Sequence, residues 1–203
     1  MIKTIEYVDG VVRMIDQTRL PAEKKFVDCR TIEEVGQAIK TMIIRGAPAI
    51  GVAGAMGVSL GADSIEASSY DDFYRILEEK CYRLGESRPT AVNLAWGINR
   101  MKKVAQQNKA LPIGELKSKL REEALRILTE DISTNQMMGQ HGQTLVKDGS
   151  VILTHCNAGA LATAGFGTAL GVVRAAVNAG KDIRVLANET RPFLQGARLT
   201  TWE

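Results

Sequence analysis

Aromatic residues are scarce, at 5% of 203 positions, and the longest basic runs are the pairs Lys24-Lys25 and Lys102-Lys103 in a chain of net charge +3. Nucleic-acid surfaces concentrate positive charge and interleave it with aromatic platforms, so no nucleic-acid partner is expected. Cysteine is limited to Cys29, Cys81 and Cys156, with no CxxC, and histidine to His141 and His155. These counts exclude a disulfide framework and a zinc cluster, leave no metal expected, and favour a reducing compartment. The opening MIKTIEYVDG carries charge where a signal peptide needs an apolar stretch. Two uncharged runs, Gly46–Ala62 and Gly149–Val173, approach membrane-spanning length, but Gly and Ala dominate where a span needs Leu, Ile and Phe. A cytoplasmic chain without a membrane segment is the expectation.

What is present is ordinary globular composition, 45% hydrophobic and 24% charged. Asp9-Gly10 between two strand-like runs predicts a hairpin. Thr31-Ile32-Glu33-Glu34 is a capping box, predicting a helix over 32–43 that stops at IIRGAP. Pro48 can open the next helix, 49–60, where Gly51, Ala55 and Ser59 recur every four residues beside Gly54. Small residues on one face admit another backbone, so this helix should be central and buried. Ser69 with Asp71 and Asp72 starts a helix that stops near Gly85, and SRPTAVNLAW starts another, with Pro89 in its first turn and Val92, Trp96 and Met101 facing inward. Leu116, Leu120, Ala124, Ile127 and Leu128 mark a long amphipathic helix.

The polar turn at 147–150 changes the pattern. VILTHC reads as a buried strand, 160–179 as an Ala/Gly/Val helix, IRVLAN as a second strand, and a further helix starts near Pro192. The fold class expected is therefore α/β: a mainly helical N-terminal domain over 1–147 with a β-hairpin edge, then, over 148–203, the first βαβα part of a Rossmann-like parallel sheet. Two parallel strands cannot cover their own faces and edges, so the chain is expected to be part of something longer, or to be completed by a second chain.

THCNAGALATAGFG, residues 154–167, closes the first parallel strand, where α/β sheets place ligands. Its glycines match GxGxxG loosely, with the third one residue late, so packing of helix on sheet explains Gly165, Gly167 and Gly171 better than a dinucleotide. Cys156 precedes Asn157 and Gly159 at a predicted helix entry, where the helix dipole favours a thiolate; a buried structural cysteine is the competing reading. His155 points to the other face of the strand. Arg45, between MII and GAPAIG, has apolar surroundings and no nearby carboxylate in sequence, and Arg88 immediately precedes Pro89 at a helix start. Each needs an anionic partner, either a fold-delivered Asp or Glu or a ligand phosphate. The amides of Gly46 and Ala47 would add donors. NETRP at 188–192 reads equally as a salt-bridged turn or a site, and the Gln195 amide can reach a ligand hydroxyl.

Together IIRGAPAIGVAGA, SRPTAVNLAWGINRM, LTHCNAGALATAGFGTA and NETRPFLQGARLTTWE resemble the methylthioribose-1-phosphate isomerase family of methionine salvage. The wider family includes archaeal ribose-1,5-bisphosphate isomerase and regulatory subunits of the translation-initiation exchange factor. The resemblance spans essentially all 203 residues. It implies an aldose–ketose isomerase acting on a small-molecule sugar phosphate, with substrate bound by Arg45, Gly46, Ala47, Arg88 and Gln195. It further implies catalysis by Cys156, no metal or organic cofactor, and a homodimer or a second chain completing the C-terminal domain. The family's catalytic aspartate and an Asn-Lys substrate-binding pair lie in motifs outside these residues, and Asn188 stands where the family has Asp.

Overall fold

The computed structural model describes residues 2–203. Strands β1 (Ile5–Val8) and β2 (Val11–Ile15) form the expected hairpin, with Val8 paired to Val11 across Asp9-Gly10. Both turn residues have positive φ, 50° and 76°, as a two-residue turn matching the strand twist requires. A third antiparallel strand, β3 (Phe26–Cys29), pairs with β2 and was not expected from the sequence.

Helix α1 (Ile32–Lys40) carries the capping box as read: Thr31 Oγ1 accepts from the Glu34 amide, and the Glu34 carboxylate accepts from the Thr31 amide. It stops three residues before the expected end because Met42 turns left-handed, with φ 63°. Helix α2 (Ala47–Asp63) is the centre of the molecule, with every residue from Ala49 to Ala62 buried. Helices α1, α3 (Tyr70–Gly85), α4 (Val92–Gln107) and α5 (Ile113–Gln143) surround it. The closest crossing is with α4, where a Cβ on Gly97 would lie 2.5 Å from the Gly51 carbonyl oxygen. That approach fixes which face of α4 is buried: Leu94, Gly97, Ile98, Met101 and Ala105. Val92 and Trp96, expected inside, are therefore 79% and 48% exposed, and the Trp96 ring instead carries the Arg100 guanidinium 5.5 Å from its centroid.

Arg100 also ties α4 to α5, donating to Glu123, whose side chain is 5% exposed, and to Glu130, both at 2.6 Å. Breaking a buried ion pair strands the remaining charge and costs about 3–5 kcal/mol. Because Arg126 also reaches Glu123 at 2.6 Å, Arg100→Met should cost less, about 2 kcal/mol, read as a lower urea midpoint. An unchanged midpoint would show the bridge to be energetically idle.

Beyond α5 come β4 (Val151–Thr154), α6 (Ala169–Asn178) and β5 (Arg184–Ala187), with β4 and β5 parallel and in register. The fold is thus mixed, mainly helical, with one antiparallel and one two-stranded parallel sheet. The helix expected over 160–179 forms only from 169. Residues 160–162 make a single 3₁₀ turn, and Gly159 and Gly167 form an antiparallel bridge. The glycines likewise differ from expectation: Gly171 packs toward Phe166 and the Asn135 carbonyl of α5, not against the sheet. The helix expected near Pro192 begins only after a turn. Gly196–Thr200 is a π-helical turn, with the Thr201 amide donating to the Gly196 carbonyl, and Gly196 packs directly against the Asn188 carbonyl with no room for a Cβ. Among the described residues no helix is long and apolar enough to cross a membrane.

Candidate active site

The chain enters the site through Ile44, buried and bonded to the Ala38 carbonyl, so that Arg45 is presented from a fixed backbone. Gly46 then turns the chain into α2 with φ 94°. A pocket of about 420 Å³ opens here, and Arg45, Gly46, Ala47, Arg88 and Gln195 all line it. The five positions that the resemblance implied for substrate binding, scattered over 151 positions of sequence, share one wall system.

Two helices aim their N-termini at this pocket. Neither α2 nor α4 has a side-chain cap, and neither has an acidic residue in its first turn. By contrast α1 and α3, which start elsewhere, are capped by Thr31 and Ser69 and carry two acidic first-turn residues each. Uncapped N–H groups and the positive end of the helix dipole favour an anion at the pocket ends of α2 and α4. Helix α4 starts later than its sequence pattern suggests: Pro89 lies in a turn before it, and Ala91 is the residue that opens it.

The fold brings neither arginine a carboxylate. Among the described residues no Asp or Glu lies within 4.0 Å of Arg45 or Arg88. Burial pulls Arg45 below the ordinary arginine value; Cys156 and Glu203 oppose that pull, and the like charge of Arg88 adds to it. Two cations without a carboxylate in contact, beside two helix N-termini, give the pocket an electropositive wall that favours an anion.

Cys156 does not line the pocket itself but touches one of its lining residues, its Sγ 4.0 Å from Arg45 Nη2. The expected helix entry behind it is absent, since α6 starts only at Ala169; Arg45 is the positive group beside the thiol. Cys156 has φ 61°, a left-handed conformation uncommon for a residue with a Cβ. Its amide donates to Thr190 Oγ1 at 2.8 Å, and its carbonyl accepts from Thr200 Oγ1 at 2.6 Å. Thr190 falls in the NETRP segment, but its partner is not legible there, and Thr200 carries no signal at all; nothing local marks a hydroxyl that serves a backbone 34 or 44 residues away. His155 is exposed and faces Asn188 at 3.3 Å, so no Cys–His pair forms. In the NETRP segment Glu189 and Arg191 make an exposed pair at 3.8 Å, while Thr190 reaches the Cys156 amide, so the segment carries features of both readings. Among the described residues no cluster of three or more His, Cys, Asp or Glu could hold a metal ion.

Residues 43–203 match the initiation factor 2 subunit family. The chain is 59% identical over 201 residues to the methylthioribose-1-phosphate isomerase of Geobacter sp. (strain M21), covering 99% of this chain and 58% of that protein. It superposes on the crystal structure of 5-methylthioribose 1-phosphate isomerase from Pyrococcus horikoshii OT3 with TM-score 0.94 and 42% identity, over 100% of this chain and 57% of the other. It also superposes on translation initiation factor eIF-2B, subunit delta, from A. fulgidus with TM-score 0.89 and 45% identity, over 100% and 58%. The chain spans 58% of the length of the first of these relatives. On this match of sequence and fold, the chain belongs to the initiation factor 2 subunit family.

Proposed function

We propose that this chain carries the phosphate-binding and thiol half of a sugar-phosphate isomerase that converts 5-methylthioribose 1-phosphate to 5-methylthioribulose 1-phosphate in methionine salvage. The observation that carries the reading is the pocket itself: Arg45, Arg88 and the uncapped starts of α2 and α4 converge on it, and Arg45 in turn touches the Cys156 thiol, in a chain 59% identical to a named isomerase.

The chemistry suits such a pocket. A phosphate on the anomeric oxygen blocks simple ring opening, so an acid must protonate the ring oxygen before hydrogen moves from C2 to C1. Arg45 and Arg88 hold the phosphate, and Gln195 meets a sugar hydroxyl. Cys156 either takes the C2 proton, giving a cis-enolate, or lines the path of a direct hydride shift; deuterium uptake from solvent into the product marks the first route. The ring-oxygen acid is assigned to no residue of this chain. A soluble cytoplasmic enzyme is the matching location.

The test is a substrate panel on the complete gene product. Turnover of 5-methylthioribose 1-phosphate is expected. The likeness to an initiation-factor subunit from A. fulgidus supplies the rival reading, a regulator that binds without turnover. Failure to isomerise any sugar phosphate would favour that regulator, and preference for ribose 1,5-bisphosphate would move the activity to the other branch of the family.

A further inference from the structure

Arg45 is not loose in its pocket. Its Nη1 donates to Asn157 Oδ1 at 2.7 Å, and both terminal nitrogens reach the Asn157 carbonyl at 3.3 Å. Asn157 is 3% exposed, and its amide nitrogen donates to Glu203 Oε1 at 2.9 Å and faces Thr200 Oγ1 at 3.3 Å. A guanidinium only donates and a carboxylate only accepts, so the Asn157 amide has one orientation that satisfies both neighbours. Glu203 is fixed in turn: its side chain is 1% exposed and accepts from the Ala160 and Leu161 amides at 2.6 and 3.0 Å. Arg174 balances its charge at 3.0 Å.

We propose that Asn157 is a neutral clamp: a positioning residue that sets the Arg45 guanidinium at the pocket wall while leaving its positive charge uncancelled for the ligand's anionic group. The inference rests on reading this pocket as a sugar-phosphate site. An aspartate there would neutralise Arg45, and it would also set a carboxylate oxygen against Glu203 where the amide now donates. The carboxylate that the network does contain, Glu203, is kept one residue away from Arg45 and paired with Arg174 instead. The charged and titratable groups facing the clamp are Arg45, Glu203, Arg174 and Cys156.

The test is titration of inorganic phosphate into the complete gene product, alongside steady-state kinetics with 5-methylthioribose 1-phosphate. Asn157→Asp should weaken phosphate binding at least about tenfold and raise KM by a similar factor, with a smaller change in kcat. Asn157→Ala keeps the charge and removes the Oδ1 bond, leaving Arg45 only the two 3.3 Å bonds to the backbone carbonyl, so phosphate affinity should fall about 3- to 10-fold, the cost of re-ordering a loosened long side chain. A purely structural role predicts otherwise: the isosteric Asp variant would melt earlier but bind phosphate normally. Wild-type phosphate affinity in Asn157→Asp overturns the inference, as does wild-type affinity in Asn157→Ala if the Asp variant fails to fold. Wild-type protein with no measurable phosphate binding overturns it as well. Wild-type protein that binds phosphate through Asn157 yet turns over no sugar phosphate supports the clamp and removes the isomerase reading. Normal turnover with an unaltered KM in Asn157→Asp does the reverse.

Discussion

Cys156→Ala in the complete gene product is expected to lower kcat for 5-methylthioribose 1-phosphate about 10³-fold, with little change in KM. The magnitude is that of removing a positioned proton-transfer group, about 10²–10⁴. The substitution is clean because both clamps on this residue hold its backbone: Thr190 takes its amide proton and Thr200 donates to its carbonyl. Alanine keeps both bonds and accepts the same left-handed φ about as well as cysteine does, so a rate loss reports the missing sulfur rather than a displaced loop. KM should hold because the anion determinants, Arg45, Arg88 and the two helix starts, remain in place. Turnover at the wild-type rate would remove Cys156 from the chemistry.

Gly46→Ala should damage both folding and binding, costing about 3 kcal/mol or more of stability and most of the phosphate affinity. Two costs coincide. The residue has φ 94°, far outside what an L side chain adopts readily. The new Cβ would also stand 2.5 Å from the Ala162 carbonyl oxygen and 2.7 Å from its Cβ. Overpacking of this kind costs about 1–3 kcal/mol where neighbours can yield, and here part of the obstacle is backbone. Displacing Ala162 moves the short turn whose amides hold Glu203, and through Asn157 the disturbance reaches Arg45. Thermal unfolding and phosphate titration read the two effects separately. An unaltered Tm would mean that the turn at 160–162 yields freely.

Local chemistry made much of this fold readable. The Thr31–Glu34 box, the Asp9-Gly10 turn, the small-residue spacing of α2 and the apolar period of α5 each act within a few residues of themselves, and each appears where the sequence put it. What could not be read is what distant partners decide. Phe26–Cys29 becomes a strand only by pairing with β2, and its own four residues carry no clear alternation. Residues 160–168 have the composition of a helix, yet Gly167 at φ 96° and its bridge to Gly159 fold them into turns. The inward face of α4 is dictated by Gly51 on α2, which the period of α4 alone does not disclose.

The candidate site divides the same way. Arg45 and Arg88 stood out because charge in an apolar or proline-flanked setting demands a partner. That both would lack one, and would share a pocket, follows only from the packing of α4 on α2. Asn157 was visible as a neighbour of Cys156, but its task depends on Glu203, which the chain delivers only after β5.

Helix α2 is the buried centre of the molecule, touched by α1, α3, α4 and α5. Its small residues leave it almost no freedom to slide or rotate. The backbone donors at its start are therefore already in position before any ligand arrives, and closing on an anion requires little reorganisation there. Burying the helix that bears the site makes binding geometry a property of the core, so changes on the outer faces of α1, α3 and α5 can tune solubility without detuning the pocket.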